Sequence, residues 1–457
     1  MPRPTGILAP FEKKARNMTR RPHILLKNLT NFTNREQTLN NNTQFIPVGE
    51  TEMAFKTLDD YDFKGKTVLV RVDINSPLEP DTKEIMDDTR IRECAPTIKE
   101  LAEKGAKVVV IAHQGRPGDD DFTPLEKHSV KLGDAVGRKV KQVEDICGEQ
   151  ALTGISELES GEVLLLGNVR GIPEENKNKP AEEQAKIEFV QKLSEVADYY
   201  VNDAFGAAHR SQPSLVGFGV TLPAVAGRLM ERELKGLAHA LKPERPCVYV
   251  LGGAKVTDSL DLIESVFTKD TADTILTTGL VGQLFLAAKI GDVGKPNMDL
   301  VLKKASEDQI DRAKQMAEKY GDKIKIPTDV VLDVDGEPKE IPVSELPSEN
   351  RISDIGAKTI EEYAKLINES KTVIANGPAG VFENPKFAAG TEKLLKAMAD
   401  SDSYSIVGGG HVVAATQEMG LADKVSHVST GGGACLGFLS GDTLPVVEIL
   451  EKSATKN

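Results

Sequence analysis

"KTVLVRVDINSP", residues 66–77, decides how the chain is to be read. Its first half is rich in β-branched and apolar residues, as in a strand covered on both faces. Arg71, Asp73 and Asn75 then arrive at alternate positions. Side chains two apart on a strand share a face, so this strand ends by turning a cation, a carboxylate and an amide to one side. In an open parallel α/β sheet, ligands sit in the crevice beyond the carboxyl ends of the strands. A satisfied internal ion pair would explain Arg71 and Asp73 equally well from this stretch alone.

The same pattern recurs downstream. Runs such as "KVVVIAHQGR", "VLLLGNVR", "YYVNDAFGAAHR", "CVYVLGGAK", "TILTTGL", "IKIPTDVVL", "TVIANGPAG", "YSIVGGGH" and "VSHVSTGGG" alternate with stretches of helical period, among them "DDTRIRECAPTIKELAEKG" and "KNKPAEEQAKIEFVQKLSEVA". Strand then helix, repeated, predicts an α/β fold with parallel sheets covered on both faces. A chain of 457 residues is too long for one core, so two domains are expected. The stretch "LPAVAGRLMERELKGLAHAL", residues 222–241, reads as an amphipathic helix that joins them.

The strand ends differ between the halves. The first half ends its runs in cations and amides: Arg71, His113 with Arg116, Asn168 with Arg170, and His209 with Arg210. The second ends in glycines: Gly252 and Gly253, Gly377 and Gly380, Gly408 to Gly410, and Gly431 to Gly433. Converging guanidinium groups suit a small, multiply anionic ligand. Glycine turns let backbone N–H groups approach phosphates. One half therefore suits an acidic metabolite and the other a nucleotide. No GxxxxGK[ST] loop, HExxH or GxGxxG turn is present, so no single motif carries this reading.

Composition narrows the classes. Lys and Arg total 57 against 70 Asp and Glu, a net charge of −13, which argues against a nucleic-acid binder. Four cysteines without CxxC spacing read as reduced thiols of a cytosolic protein. No apolar run approaches the ~20 residues of a membrane-spanning helix. Residues 1–52 stand apart: they carry eight basic and four acidic side chains, while the rest of the chain carries 49 and 66. They read as a disordered extension, or as the product of an upstream start codon with Met53 as the natural first residue.

From Met53 onward the chain resembles the phosphoglycerate kinase family, most closely its archaeal form. The resemblance rests on "RVDINSP", "DDTRIRECAPTIKEL", "HQGRP", "NVR", "NDAFGAAHR", "LGGAKV", "NGPAGVFE", "VGGGH" and "STGGGACLGFLSGDTLP", in the family's order. It implies two Rossmann-like three-layer αβα domains with mostly parallel sheets, joined by a hinge helix. Mapped onto this chain, these are an N-terminal domain over 53–225, a hinge helix over 226–242, a nucleotide-binding domain over 243–440, and a tail over 441–457 that returns toward the first domain. It also implies reversible transfer of the acyl phosphate of 1,3-bisphosphoglycerate to MgADP, giving 3-phosphoglycerate and MgATP, by a cytoplasmic monomer with no nucleic-acid or membrane partner.

By the same resemblance, Asp73, Asn75, Arg90, His113, Gln114, Gly115, Arg116, Arg170 and Arg210 hold the acid substrate. Gly253, Lys255, Asn376, Glu383, Gly409, Gly410 and His411 contact the nucleotide, and Arg90 and Lys255 act on the transferring group. Arg71 either joins the ligand site or orients Asp73. The acceptor carboxylate of 3-phosphoglycerate is already ionised at neutral pH, so no general base is needed, and His113 and His209 are expected to donate hydrogen bonds instead. The task left to the protein is fixed positive charge and exclusion of water.

The chain departs from the family pattern in several places. His411 stands where many members have a magnesium-binding aspartate, and imidazole is a poor ligand for that hard ion, which leaves the metal ligand unassigned. Ser259 replaces a lysine and Gln212 a histidine, both in keeping with the archaeal form. Gly167, Gly171 and Gly437 stand where Glu, Phe and Glu are usual. These losses support an alternative, a catalytically weakened nucleotide- and phosphometabolite-binding protein on the same fold. A dehydrogenase is disfavoured by the missing GxGxxG turn and its acidic partner.

Overall fold

A computed structural model describes residues 55–455, so the expected extension over 1–52 lies outside the described residues. The first half forms strands β1 (Thr67–Val72), β2 (Lys107–Ile111), β3 (Val140–Gln142), β4 (Val163–Leu165), β5 (Tyr199–Asp203) and β6 (Ala224–Ala226). They make one parallel sheet in the order β3-β4-β2-β1-β5-β6. β1 is central and its apolar residues are buried on both faces, as the opening run requires. Arg71 is level with Ile111 of β2 and Asn202 of β5, so the polar ends of three neighbouring strands meet at one edge.

The second half contributes β7 (Cys247–Leu251), β8 (Thr274–Thr277), β9 (Ile324–Lys325), β10 (Asp329–Val334), β11 (Glu337–Pro342), β12 (Arg351–Ile355), β13 (Thr372–Asn376), β14 (Tyr404–Gly408) and β15 (His427–Val428). Six of these form a second parallel sheet, β15-β14-β13-β7-β8-β9. β10, β11 and β12 form a small antiparallel sheet that the sequence reading did not anticipate. The run "IKIPTDVVL" was expected to be one strand, and it divides at Pro327 between β9 and β10, which belong to different sheets. Proline lacks the N–H a ladder needs, so the chain changes sheets there.

The joining helix spans Arg228–Leu241, not the whole of 222–241. Its first apolar residues are taken by β6, which pairs with β5. Asp203, at the end of β5, caps the helix by accepting from Leu229 N at 2.9 Å and Met230 N at 3.1 Å. Near the helix middle, buried Glu233 accepts from Thr430 N at 2.8 Å and pairs with His427 Nε2 at 2.9 Å. One helix thus grips both halves. A single apolar cluster also runs through both, including Phe205 and Ala208, Met230 and Leu234 of the helix, and Ala434 and Phe438. The last helix, Pro445–Ala454, lies on the first half, with Ser453 Oγ accepting from Ala224 N at 2.7 Å.

Candidate active site

At the end of β1, Arg71 is 1 % exposed and fully engaged. Its Nε donates to Ser214 Oγ at 2.7 Å, Nη1 to Val72 O, and Nη2 to His113 Nδ1 at 3.0 Å. It makes no hydrogen bond to Asp73. The expectation that Arg71 orients Asp73 is corrected here, because Arg90 Nη1 bonds Asp73 Oδ2 at 3.0 Å. Arg90 lies in the first turn of the helix Thr89–Glu103, which places it across from the end of β1. Arg92 turns away to Asp88. Burial raises the Asp73 carboxyl, but the charges of Arg90 and Arg71 and the Asn75 N–H outweigh it and hold the group below its usual range.

Asn75 Oδ1 accepts from Gly115 N at 2.8 Å. Gly115 has φ +64°, and a Cβ there would overlap the backbone of Asp121, so only glycine fits. Gln114 is fully buried, and its carboxamide is committed to Ser76 N, Ser76 O, Asp121 O and His128. Its side chain therefore braces the loop. Arg170 Nη1 donates to Gly115 O. Burial, then the charges of Arg210, Arg71 and Arg116, pull Arg170 down to about 10. Burial likewise lowers Arg210 and His209. These cations depress one another because, apart from Asp73 and buried Glu175, little negative charge stands among them. Such a surplus suits a multiply anionic ligand.

In the second half a cleft of about 750 Å³ is lined by Gly252, Gly253, Lys255, Asn376, Glu383, Gly409, Gly410 and His411. Gly377 has φ +84°, and a Cβ on it would overlap Gly252 O, so two glycine turns touch backbone to backbone. Asn376 is buried and its Nδ2 has no protein partner. A buried donor without a partner is costly, so an acceptor from a ligand fits there. Lys255 is exposed just ahead of the helix Val256–Thr268, while Ser259 turns its hydroxyl back to Lys255 O. His411 Nδ1 faces Glu383 Oε1 at 3.1 Å, both largely exposed.

The far wall is apolar, with Leu280, Leu286, Leu300, Pro327, Val330 and Ile352. Sequence reading missed it, since β10 and β12 supply part of it through long-range pairing. The all-round apolar helix Gly279–Ile290 and the Asp335–Gly336 turn that joins β10 to β11 were its sequence signals.

The two half-sites meet through backbone. A Cβ on Gly431 would overlap the Phe205 ring, and one on Gly433 would come within van der Waals reach of the His209 ring. The loop carrying Arg210 thus abuts the last glycine triplet. Of the three unusual glycines, Gly167 is explained by packing: a Cβ would overlap Glu144 O. The chain backbone occupies the space a larger side chain would need. Gly437 is free of such crowding: a Cβ there would meet Leu444 Cδ2 at 3.6 Å and Asp442 Oδ2 at 3.7 Å, ordinary contacts.

Among the described residues no group of three or more His, Cys, Asp or Glu side chains could hold a metal ion. The cleft carboxylates are separately committed. Asp354 accepts from Ile355 N and Gly390 N and is pushed by burial up to about 7, and Glu383 faces His411. This donor set fits Mg²⁺ that arrives on nucleotide phosphates and keeps its waters, as that ion commonly does.

Fold and site halves define a class: an α/β phosphotransferase built on two six-stranded parallel sheets. The sequence profile of phosphoglycerate kinase matches residues 58–442. The chain belongs to the phosphoglycerate kinase family. It is 51 % identical over 409 residues to the phosphoglycerate kinase of Methanothermobacter thermautotrophicus, covering 89 % of this chain and 98 % of that one. It is 49 % identical over 413 residues to that of Methanococcus maripaludis, covering 88 % and 99 %. The crystal structure of phosphoglycerate kinase from Pyrococcus horikoshii superposes with a TM-score of 0.82 at 43 % identity, over 88 % of this chain and all of that one. Among the described residues no helix is long and apolar enough to cross a membrane.

Proposed function

We propose that this protein is a phosphoglycerate kinase, transferring the acyl phosphate of 1,3-bisphosphoglycerate directly to MgADP and running in reverse from 3-phosphoglycerate and MgATP. The carrying observation is a cationic cluster at the strand ends of the first half and a glycine-lined cleft at the strand ends of the second, the two halves touching where Phe205 packs on Gly431. The acid substrate lies against Asp73, Asn75, His113, Gly115, Arg116, Arg170 and Arg210. Asp73 is ionised and accepts from the substrate hydroxyl, while the arginines take its phosphate and carboxylate.

The nucleotide fills the glycine cleft, its base against the apolar wall and its phosphates near Gly253, Lys255, Asn376, Gly409 and Gly410. Glu383, exposed at the cleft mouth, accepts from ribose hydroxyls, and His411 lies beside it. Mg²⁺ enters as part of the nucleotide substrate and offsets phosphate charge. Lys255 meets the nucleotide phosphates as a point charge. Arg90 reaches the transferring group from the first lobe, and its charge matters most where charge spreads over the equatorial oxygens.

In this reading residues 53–225 and 243–440 act as lobes that close about the helix within 226–242, and 441–457 ties the second lobe back to the first. The protein works as a cytoplasmic monomer. The test is ATP consumption by the full chain that depends on 3-phosphoglycerate and is coupled to reduction of the acyl phosphate formed. ATP hydrolysis at the same rate without the acid would sink the reading.

A further inference from the structure

Behind the cationic cluster lies a carboxylate that the proposed reaction does not use. Glu175 sits in the short turn Pro173–Asn176 and is fully buried. Its Oε2 accepts from Ser214 N at 2.9 Å, and its Oε1 from Ser214 Oγ. Ser214 Oγ in turn accepts from Arg71 Nε at 2.7 Å, and Arg71 Nη2 reaches His113 Nδ1 at 3.0 Å. Ser214 is itself fixed, because Tyr200 Oη donates to Ser214 O at 2.7 Å and receives Asn202 Nδ2 at 2.8 Å. Every member of this chain is buried.

Proton counting gives the chain a direction. Arginine offers five N–H groups and no acceptor, so His113 Nδ1 can only accept, and the ring proton is left on Nε2. The Ser214 oxygen accepts from Arg71, so its single proton goes to Glu175, and both oxygens of Glu175 act as acceptors. Burial pushes the Glu175 carboxyl up, and the Arg71 charge, the Ser214 hydroxyl and the Ser214 N–H oppose it. A carboxyl whose two oxygens both accept is the ionised form. We infer that Glu175 is a positioning residue: through Ser214 and Arg71 it holds His113 as the neutral tautomer whose Nε2–H is offered to the anionic substrate.

The arrangement accounts for two features left over from the site. Arg71 is a buried guanidinium beside Arg170 and Arg210, and an uncompensated charge there would be costly. Glu175 supplies the compensation one hydroxyl away, so Arg71 is spent on orientation and not on the ligand. His113 is neutral, since burial and then the Arg71 charge push it well below its ordinary value. A neutral imidazole with a fixed N–H donates to an anion without titrating near neutrality. The identity of that anion rests on the reading given under Proposed function; the tautomer does not.

The deciding experiment is ¹⁵N–¹H correlation spectroscopy of the histidine rings in the full chain, with and without Glu175→Gln. Wild type is expected to show His113 neutral and protonated on Nε2. In E175Q the amide nitrogen cannot accept, one Ser214 donor loses its partner, and Arg71, no longer held through Ser214, is expected to turn from His113 Nδ1, so that both tautomers appear. KM for 3-phosphoglycerate should then rise about tenfold, the worth of one hydrogen bond to a charged group, with KM for MgATP unmoved. Ser214→Ala cuts the same chain and should give the same spectrum, which guards against misfolding of the first variant. Proton on Nδ1 in wild type, or an unmoved tautomer in both variants, would overturn the inference. A wild type with the expected spectrum but no 3-phosphoglycerate-dependent turnover would instead defeat the functional reading and leave this one standing.

Discussion

Arg90 Nη1 lies 3.0 Å from Asp73 Oδ2, and the bond spans from the first turn of a surface helix to the end of the central strand. Asp73 is 9 % exposed at its side chain and Arg90 44 %, so one partner is fixed and the other faces solvent. That asymmetry puts the Arg90 guanidinium at the open side of the cluster, where it can reach a ligand. Arg90→Ala is therefore expected to slow kcat by roughly 10²-fold or more while changing KM for 3-phosphoglycerate less. Steady-state kinetics check this, and a variant with normal kcat and only a raised KM would remove Arg90 from the transfer step.

Arg170 is buried and Arg210 half-buried in the same patch. Truncating either to Ala should raise KM for 3-phosphoglycerate by about tenfold or more, and leave KM for MgATP within about twofold. A fall in kcat at unchanged KM would show that they act on the transition state instead.

Gly167 and Gly437 were read together in the sequence as lost charges, and the structure separates them. Gly167→Ala would force a Cβ onto the Glu144 carbonyl and should cost about 2 kcal/mol or more in urea unfolding. Gly437→Ala meets only ordinary contacts inside the helix Gly433–Leu439 and should be neutral or stabilising by up to about 1 kcal/mol. Equal effects would mean that crowding at Gly167 is relieved by movement of residues 143–148.

Asp203 makes stability depend on pH. Burial pushes its carboxyl up to about 6, against the Thr97 hydroxyl and the Met230 and Leu229 N–H groups, and its Oδ2 has no hydrogen-bond partner. The folded value is above the unfolded one of about 3.9, so the folded state keeps a proton that the unfolded state has released. This contribution is complete below about pH 4 and is lost as pH rises through about 6, at most about 3 kcal/mol. Asp203→Asn keeps the oxygen that caps Leu229 and Met230 and removes the titration. The stability of D203N relative to wild type should climb between pH 4.5 and 6.5 in urea melts. A constant or falling difference would refute the assignment.

What was legible in the sequence is what is local. The buried run of β1, the glycine turns and the helix around Arg90 are each written within about a dozen residues, and the structure puts them where the periodicity implies. Three-residue strands such as Ala224–Ala226 carry no period, so β6 was absorbed into the neighbouring helix. β10 and β11 form a hairpin whose two-residue turn, Asp335–Gly336, has positive φ at both positions, a local signal in "DVDGEP" that the strand-then-helix reading passed over. The pairing of β12 with β10 joins segments that no single stretch holds together. The Arg71 network failed for the same reason. "RVD" suggests that Arg71 serves Asp73, but its partners Ser214, His113 and, beyond Ser214, Glu175 come from three other segments brought together only by the fold.

The most direct test of the central claim is the initial rate of ATP formation by the full chain from MgADP and freshly generated 1,3-bisphosphoglycerate, with and without a chelator. The account predicts transfer at roughly 1–100 s⁻¹, abolished by the chelator and by omission of either substrate. Measurable binding of both ligands with no ATP formed would contradict it, and would leave a protein that holds the two substrates of a kinase without joining their chemistry.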